Sequence, residues 1–182
     1  MRIKGIFLKD YVEIVNRSPE LEWSRYLTAA DWEIVRSLIL PTQWYPAETM
    51  AHIGRGIFEM RTKNNYEAVR AHGRARATDS FDPATLKFLL KNDPAASLQA
   101  YAMIARRYID EIGINLEKAG PGRAEVCFSP VDQVPAWDLF REIQAGTLEK
   151  LAELNGGQNP RAEFVSEPRQ GREACIIRVT WA

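Results

Sequence analysis

Two histidines, two cysteines and a few closely spaced acids are the side chains of this 182-residue sequence that could do chemistry. His52 stands one residue before Ile53 on a segment opened by Pro46. A lone helical histidine can ligate haem iron, although packing at a core boundary is the plainer role. His72 lies among Arg70, Arg74 and Arg76 and is expected on a solvated helix face. Neither histidine belongs to a His-Glu-x-x-His pair, so no metal-ligand spacing is present. Cys127 and Cys175 each sit inside an alternating apolar segment, where a buried thiol has a raised pKa and is inert. A Gly-x-Ser-x-Gly elbow is absent. Asp138 and Glu142 stand four apart and share a helix face, and Asp110 adjoins Glu111; with no pocket to converge on, both pairs read as solvated surface. Gly54 and Gly56 lack the preceding strand of a phosphate loop and read as close helix packing. Trp44-Tyr45-Pro46 is the aromatic group whose place in a loop suits binding.

The elements that must position these groups follow from periodicity. Ile6, Phe7, Tyr11, Ile14 and Val15 recur at helical spacing from an extended start at Ile3. Thr28 caps a second helix, with Asp31 three residues on, whose face carries Trp32, Val35, Leu38 and Ile39 until Pro41. Pro46 opens a third, with Met50, Ile53, Ile57 and Phe58 on one side. Asp82-Pro83 and Asp93-Pro94 open two more, and the stripe Leu98, Tyr101, Ala105, Tyr108, Ile109 and Ile112 predicts that the latter runs to Gly113. The period then becomes two. Residues 114 to 128 predict a hairpin around Gly120-Pro121-Gly122, a long helix follows from Trp137 to Leu154, and 162 to 166 pairs with 174 to 181 across a turn holding Pro168 and Gly171. The fold class is therefore α+β: a helical first two thirds, then hairpin, long helix and hairpin forming a four-stranded antiparallel sheet, all in one domain over residues 1–182.

Composition narrows the function. Lys plus Arg and Asp plus Glu both number 24, so no net field draws phosphate backbones and no nucleic-acid partner is expected. The first residues are broken by Lys9, Asp10 and Glu13, unlike a signal peptide, and no membrane span is expected, since none of the apolar runs approaches about 18 residues. Two reduced cysteines suit a cytoplasmic protein. An uncharged surface sets little repulsion between copies, and a homodimer or other protein partner is expected.

The order helices, hairpin, helix, hairpin resembles the ligand-binding fold shared by haem nitric-oxide-binding domains, 4-vinyl-reductase-type sensor domains and small subunits of the Golgi transport particle. Lys4-Gly5-Ile6-Phe7 and Arg178-Val179-Thr180-Trp181 resemble the start and end of an uncharacterised myxobacterial family of that group. The resemblance implies a pocket between helices and sheet that holds a small apolar ligand, or an assembly surface where the pocket is vestigial. The Tyr-x-Ser-x-Arg motif that holds haem propionates in one branch is missing, as is the cysteine-rich metal site of another, so no cofactor is expected. The expectation is a non-catalytic, sensor-like domain, with a protein-assembly scaffold as the alternative. Its ligand site is expected between the helices carrying His52 and Tyr101, with Trp44 at the mouth.

Overall fold

The computed structural model describes residues 1–79, 81–166 and 174–182. The chain opens on a short strand, β1 (Arg2–Lys4), paired antiparallel with β2 (Trp44–Pro46) so that Ile3 lies opposite Tyr45. Helix α1 (Gly5–Arg17) starts directly after β1. Glycine is needed at its first residue, because a Cβ there would strike the Leu40 carbonyl oxygen. Thr28 and Asp31 form the expected capping box of α2 (Ala29–Val35). That helix ends well before Pro41. Leu38, expected on its buried face, is 81% exposed, and only Ile39 turns back into the core.

Helix α3 (Ala47–Met60) follows Pro46, and α4 (Tyr66–Asp79) follows α3. The arginines of α4 are not a merely solvated face. Arg70 reaches Glu142 at 2.8 Å and Arg74 reaches Glu149 at 3.1 Å and also Glu153, all on α7 (Trp137–Leu154). The two helices approach until backbone meets backbone: a Cβ on Gly73 would strike the Ile143 carbonyl, and one on Gly146 the Arg70 carbonyl. Asp82 and Asp93 cap α5 (Pro83–Leu89) and α6 (Pro94–Ala105), each accepting two backbone N–H bonds. Helix α6 stops at Ala105, short of Gly113. Tyr108, Ile109 and Ile112 keep the helical spacing, yet the backbone beyond Ala105 turns and Ile109 bridges to Ile3.

Strands β3 (Gly113–Gly120), β4 (Arg123–Ser129), β5 (Arg161–Ser166) and β6 (Cys175–Thr180) form one antiparallel sheet in the order β3-β4-β6-β5. Ala124, Val126, Phe128, Ile177 and Val179 are fully buried, as are Leu148, Leu151 and Ala152 of α7, which packs on β5 and β6. On the opposite face a charged ladder crosses all four strands: Arg178 reaches Glu163 at 3.0 Å and Glu125 at 2.8 Å, and Lys118 reaches Glu125 at 3.1 Å. The turn with Pro168 and Gly171 lies outside the described residues. Among the described residues, no helix is long and apolar enough to cross a membrane.

Candidate functional site

Five helices, α1, α3, α4, α6 and α7, and the β1 strand leave a cavity where they meet. Its volume is about 80 Å³. Helix α7 supplies Phe140, Ile143, Gln144 and Thr147, whose i, i+3, i+4, i+7 spacing puts them on one face. Helix α1 adds Phe7 and Tyr11, α4 adds His72 and Ala77, α6 adds Tyr101, and Phe81 closes one side. The lining is therefore mostly aromatic and aliphatic. A groove of about 280 Å³ between α1, α3, α4 and α7 and a pocket of about 30 Å³ at the start of α7 adjoin it. Tyr11 and Ile143 line all three spaces, so these two side chains are the partitions between them.

The polar groups of the cavity fall into two sets. Inside, Tyr101 and Gln144 are both buried, and the Tyr101 hydroxyl donates to Gln144 Oε1. Burial pushes the Tyr101 phenol well above the usual range, the bond to Gln144 only partly offsetting it. At the rim, Arg76 pairs with Asp10, and the His72 ring stands edge-on to Tyr11 at 6.1 Å. His72 is exposed, as the sequence predicts; partial desolvation of its ring and the Arg76 charge both hold the imidazole below its ordinary pKa, and burial pushes the Tyr11 phenol up to about 12. His72 has no hydrogen-bond partner among the described residues, so neither ring nitrogen is oriented as a base. Nor does any group of three or more His, Cys, Asp or Glu among those residues suit a metal ion.

Compared with known proteins, the chain matches no family model and no curated protein. Solved structures do match. An H-NOX protein from S. oneidensis in the Fe(II)NO ligation state aligns with a TM-score of 0.67, 12% identity and 99% of each chain covered. An Ile-to-Phe mutant of T. tengcongensis H-NOX gives 0.66 at 12% identity, covering 98% of this chain and 97% of the other. An Ala-to-Gly mutant of unliganded H-NOX from K. algicida gives 0.64 at 13%, covering 99% and 97%. This chain has the H-NOX fold.

Within that H-NOX fold the three residues expected at the site are not brought together. Tyr101 lines the cavity. His52 does not line it, its Nδ1 being 2.8 Å from Asp31 Oδ2, and α3 contributes Met50 to the lining instead. Burial works to raise the Asp31 pKa, but hydrogen bonds from Thr28, Thr49 and His52 outweigh it and hold this carboxyl below its usual range. Trp44 lies beside β1, with the Lys4 ammonium 4.1 Å from its ring centroid. Asp138 and Glu142, expected as solvated acids, are held instead: Asp138 accepts from Arg55 at 2.7 Å and Tyr66 at 2.9 Å, and Glu142 from Arg70. Asp110 likewise pairs with Arg2 and Glu111 with the N-terminal amine. Cys127 and Cys175 are buried on opposite faces of the sheet, since Cys175 lies opposite inward-facing Phe128 and Cys127 opposite Ile176. Burial raises the Cys127 thiol to about 12. Sequence reasoning missed Tyr11, Gln144 and His72 as lining residues. Gln144 carried a signal: it is a polar residue inside the face set by Phe140, Ile143 and Thr147.

Proposed function

We propose that this chain is a non-catalytic binding domain of the sensor type, whose ligand is a small, largely apolar molecule held between α1, α4, α6 and α7. The observation that carries the reading is the cavity itself, mostly apolar and furnished with the buried Tyr101–Gln144 pair, a combination suited to binding and orientation rather than to bond breaking. The H-NOX fold supports it by analogy. Cytoplasmic location and a homodimeric state belong to the same proposal.

Two of the matching solved structures are described for haem or porphyrin distortion. Haem does not fit here. A porphyrin belongs with occupants of pockets of roughly 300 to 1,000 Å³, whereas this cavity measures about 80 Å³ and is narrowed by Phe81, Tyr101 and Phe140. His52 is committed to Asp31, and the sequence has no Tyr-x-Ser-x-Arg triplet for propionates. The accommodated ligand is smaller, of a few heavy atoms. Native mass spectrometry of protein purified from its own host, with and without haem supplementation, tests both points: the expected product is colourless and carries a small adduct lost on denaturation. A Soret band that disappears in His52→Ala, or unliganded protein under every growth condition, would overturn the proposal.

A further inference from the structure

We infer that the occupant of this cavity is a small neutral molecule bearing a hydrogen-bond acceptor of the carbonyl type, which the Gln144 side-chain amide holds through Nε2. The inference rests on the binding-domain reading above and adds the chemical class of the ligand. Gln144 is 5% exposed and lies on the lining face of α7. Its Oε1 accepts the Tyr101 hydroxyl, which fixes the rotation of the amide and leaves Nε2 on the other limb. Nε2 has no hydrogen-bond partner among the described residues, and it is not sealed in packed protein as Trp137 Nε1 is. An occupant that covered this donor without accepting from it would leave it desolvated and unpaired at a cost of about 1 to 3 kcal/mol, so the lumen favours one that accepts from it.

Charge and size restrict that occupant. Arg76, the cation on the lining, is paired with Asp10 and lies 3.8 Å from Asp79, so an anion finds no free counter-charge there. Asp10, the acid on the lining, is taken up in the same pair, so a cation finds none either. The Thr147 hydroxyl is bonded to the Ile143 carbonyl at 2.9 Å. At about 80 Å³ the cavity is smaller than the apolar cavity of about 150 Å³ that takes benzene. A short-chain ketone or aldehyde matches all three constraints.

The test uses the full chain and two probes of one shape, butanone and the alkene in which a methylene replaces its oxygen, titrated while the methyl NMR signals of Ile109 and Ile143 are followed. Gln144→Met keeps the side-chain volume and removes the donor. It is expected to weaken butanone about three- to tenfold relative to the alkene. Tyr101→Phe keeps the donor but releases its orientation, and is expected to move the ratio the same way by a smaller factor; it carries the test if Gln144→Met does not fold. A ratio unchanged in the variants overturns the ligand class while leaving the cavity a binding site. Failure of both probes to move the wild-type signals overturns the binding-domain reading and this inference together.

Discussion

Replacing Tyr11 by alanine should turn three separate spaces into one chamber, and the size of the effect can be worked out beforehand. The ring divides the cavity of about 80 Å³ from the groove of about 280 Å³, so its removal yields a space above the roughly 300 Å³ at which drug-sized ligands begin to be held. The vacated volume is that of p-cresol. Reburying a ring of about 150 Å² at about 25 cal/mol/Å² returns about 4 kcal/mol, which corresponds to a Kd of about 1 mM. At 10 mM p-cresol, mass action then stabilises Tyr11→Ala by about 1.4 kcal/mol, or about 3 to 6 °C in Tm for a chain of this length. Wild-type protein, with the ring in place, should not respond. Differential scanning fluorimetry of the two proteins across a p-cresol series measures this directly. Equal responses would refute the reasoning, because they would mean that Tyr11 does not partition the interior.

Further expectations concern the frame around the cavity. Phe128→Ala should cost about 3 to 5 kcal/mol in urea denaturation, since the ring is fully buried against Trp137 and Phe140; a loss under about 1 kcal/mol would show the inner face of β4 to be misassigned. Gly73→Ala would raise stability by about 1 kcal/mol in an exposed helix, but here its Cβ meets the Ile143 backbone, so the melting temperature should fall. The depressed folded pKa of His72 makes the unfolded chain the better proton binder. The stability it contributes is complete above about pH 6.5 and is lost as pH falls towards the folded pKa, a slope that His72→Gln should flatten in urea midpoints measured from pH 7.5 to 5. Sedimentation at tens of micromolar should show a homodimer; particles of the 20.7 kDa monomer alone would remove that proposal.

The sequence disclosed the elements better than the places where they meet. Caps at Thr28, Asp82 and Asp93 and the change of period after Gly113 are local signals, and the helix starts and the four strands follow them. The end of α6 does not, because Tyr108, Ile109 and Ile112 keep a helical spacing while the backbone turns to reach β1; burial, and not hydrogen bonding, sets that pattern. The site was harder still. His52 was prominent as a lone helical histidine, but its partner Asp31 is 21 residues away in sequence and is occupied in capping another helix. Arg70 and Arg74 read as a solvated run because the acids that hold them are about 70 to 80 residues distant. Tyr101 was found because an aromatic with a polar tip on an apolar stripe is visible locally. Gln144 was overlooked because its role depends on the Tyr101 hydroxyl, 43 residues away.

The crossing of α4 over α7 has a mechanical consequence. With glycine on each helix at the point of contact and three glutamates of α7 gripping two arginines of α4, this pair behaves as a single stiff beam, laid along the sheet through α7. One wall of the cavity is therefore fixed. An occupant that needs more room must push on α1, α3 or α6, and of these α1 and α3 are joined to the short β1–β2 ribbon and not to the four-stranded sheet. Expansion of the interior would thus register as displacement at the N-terminal end of the molecule, with the beam and the sheet serving as the stationary reference against which it moves.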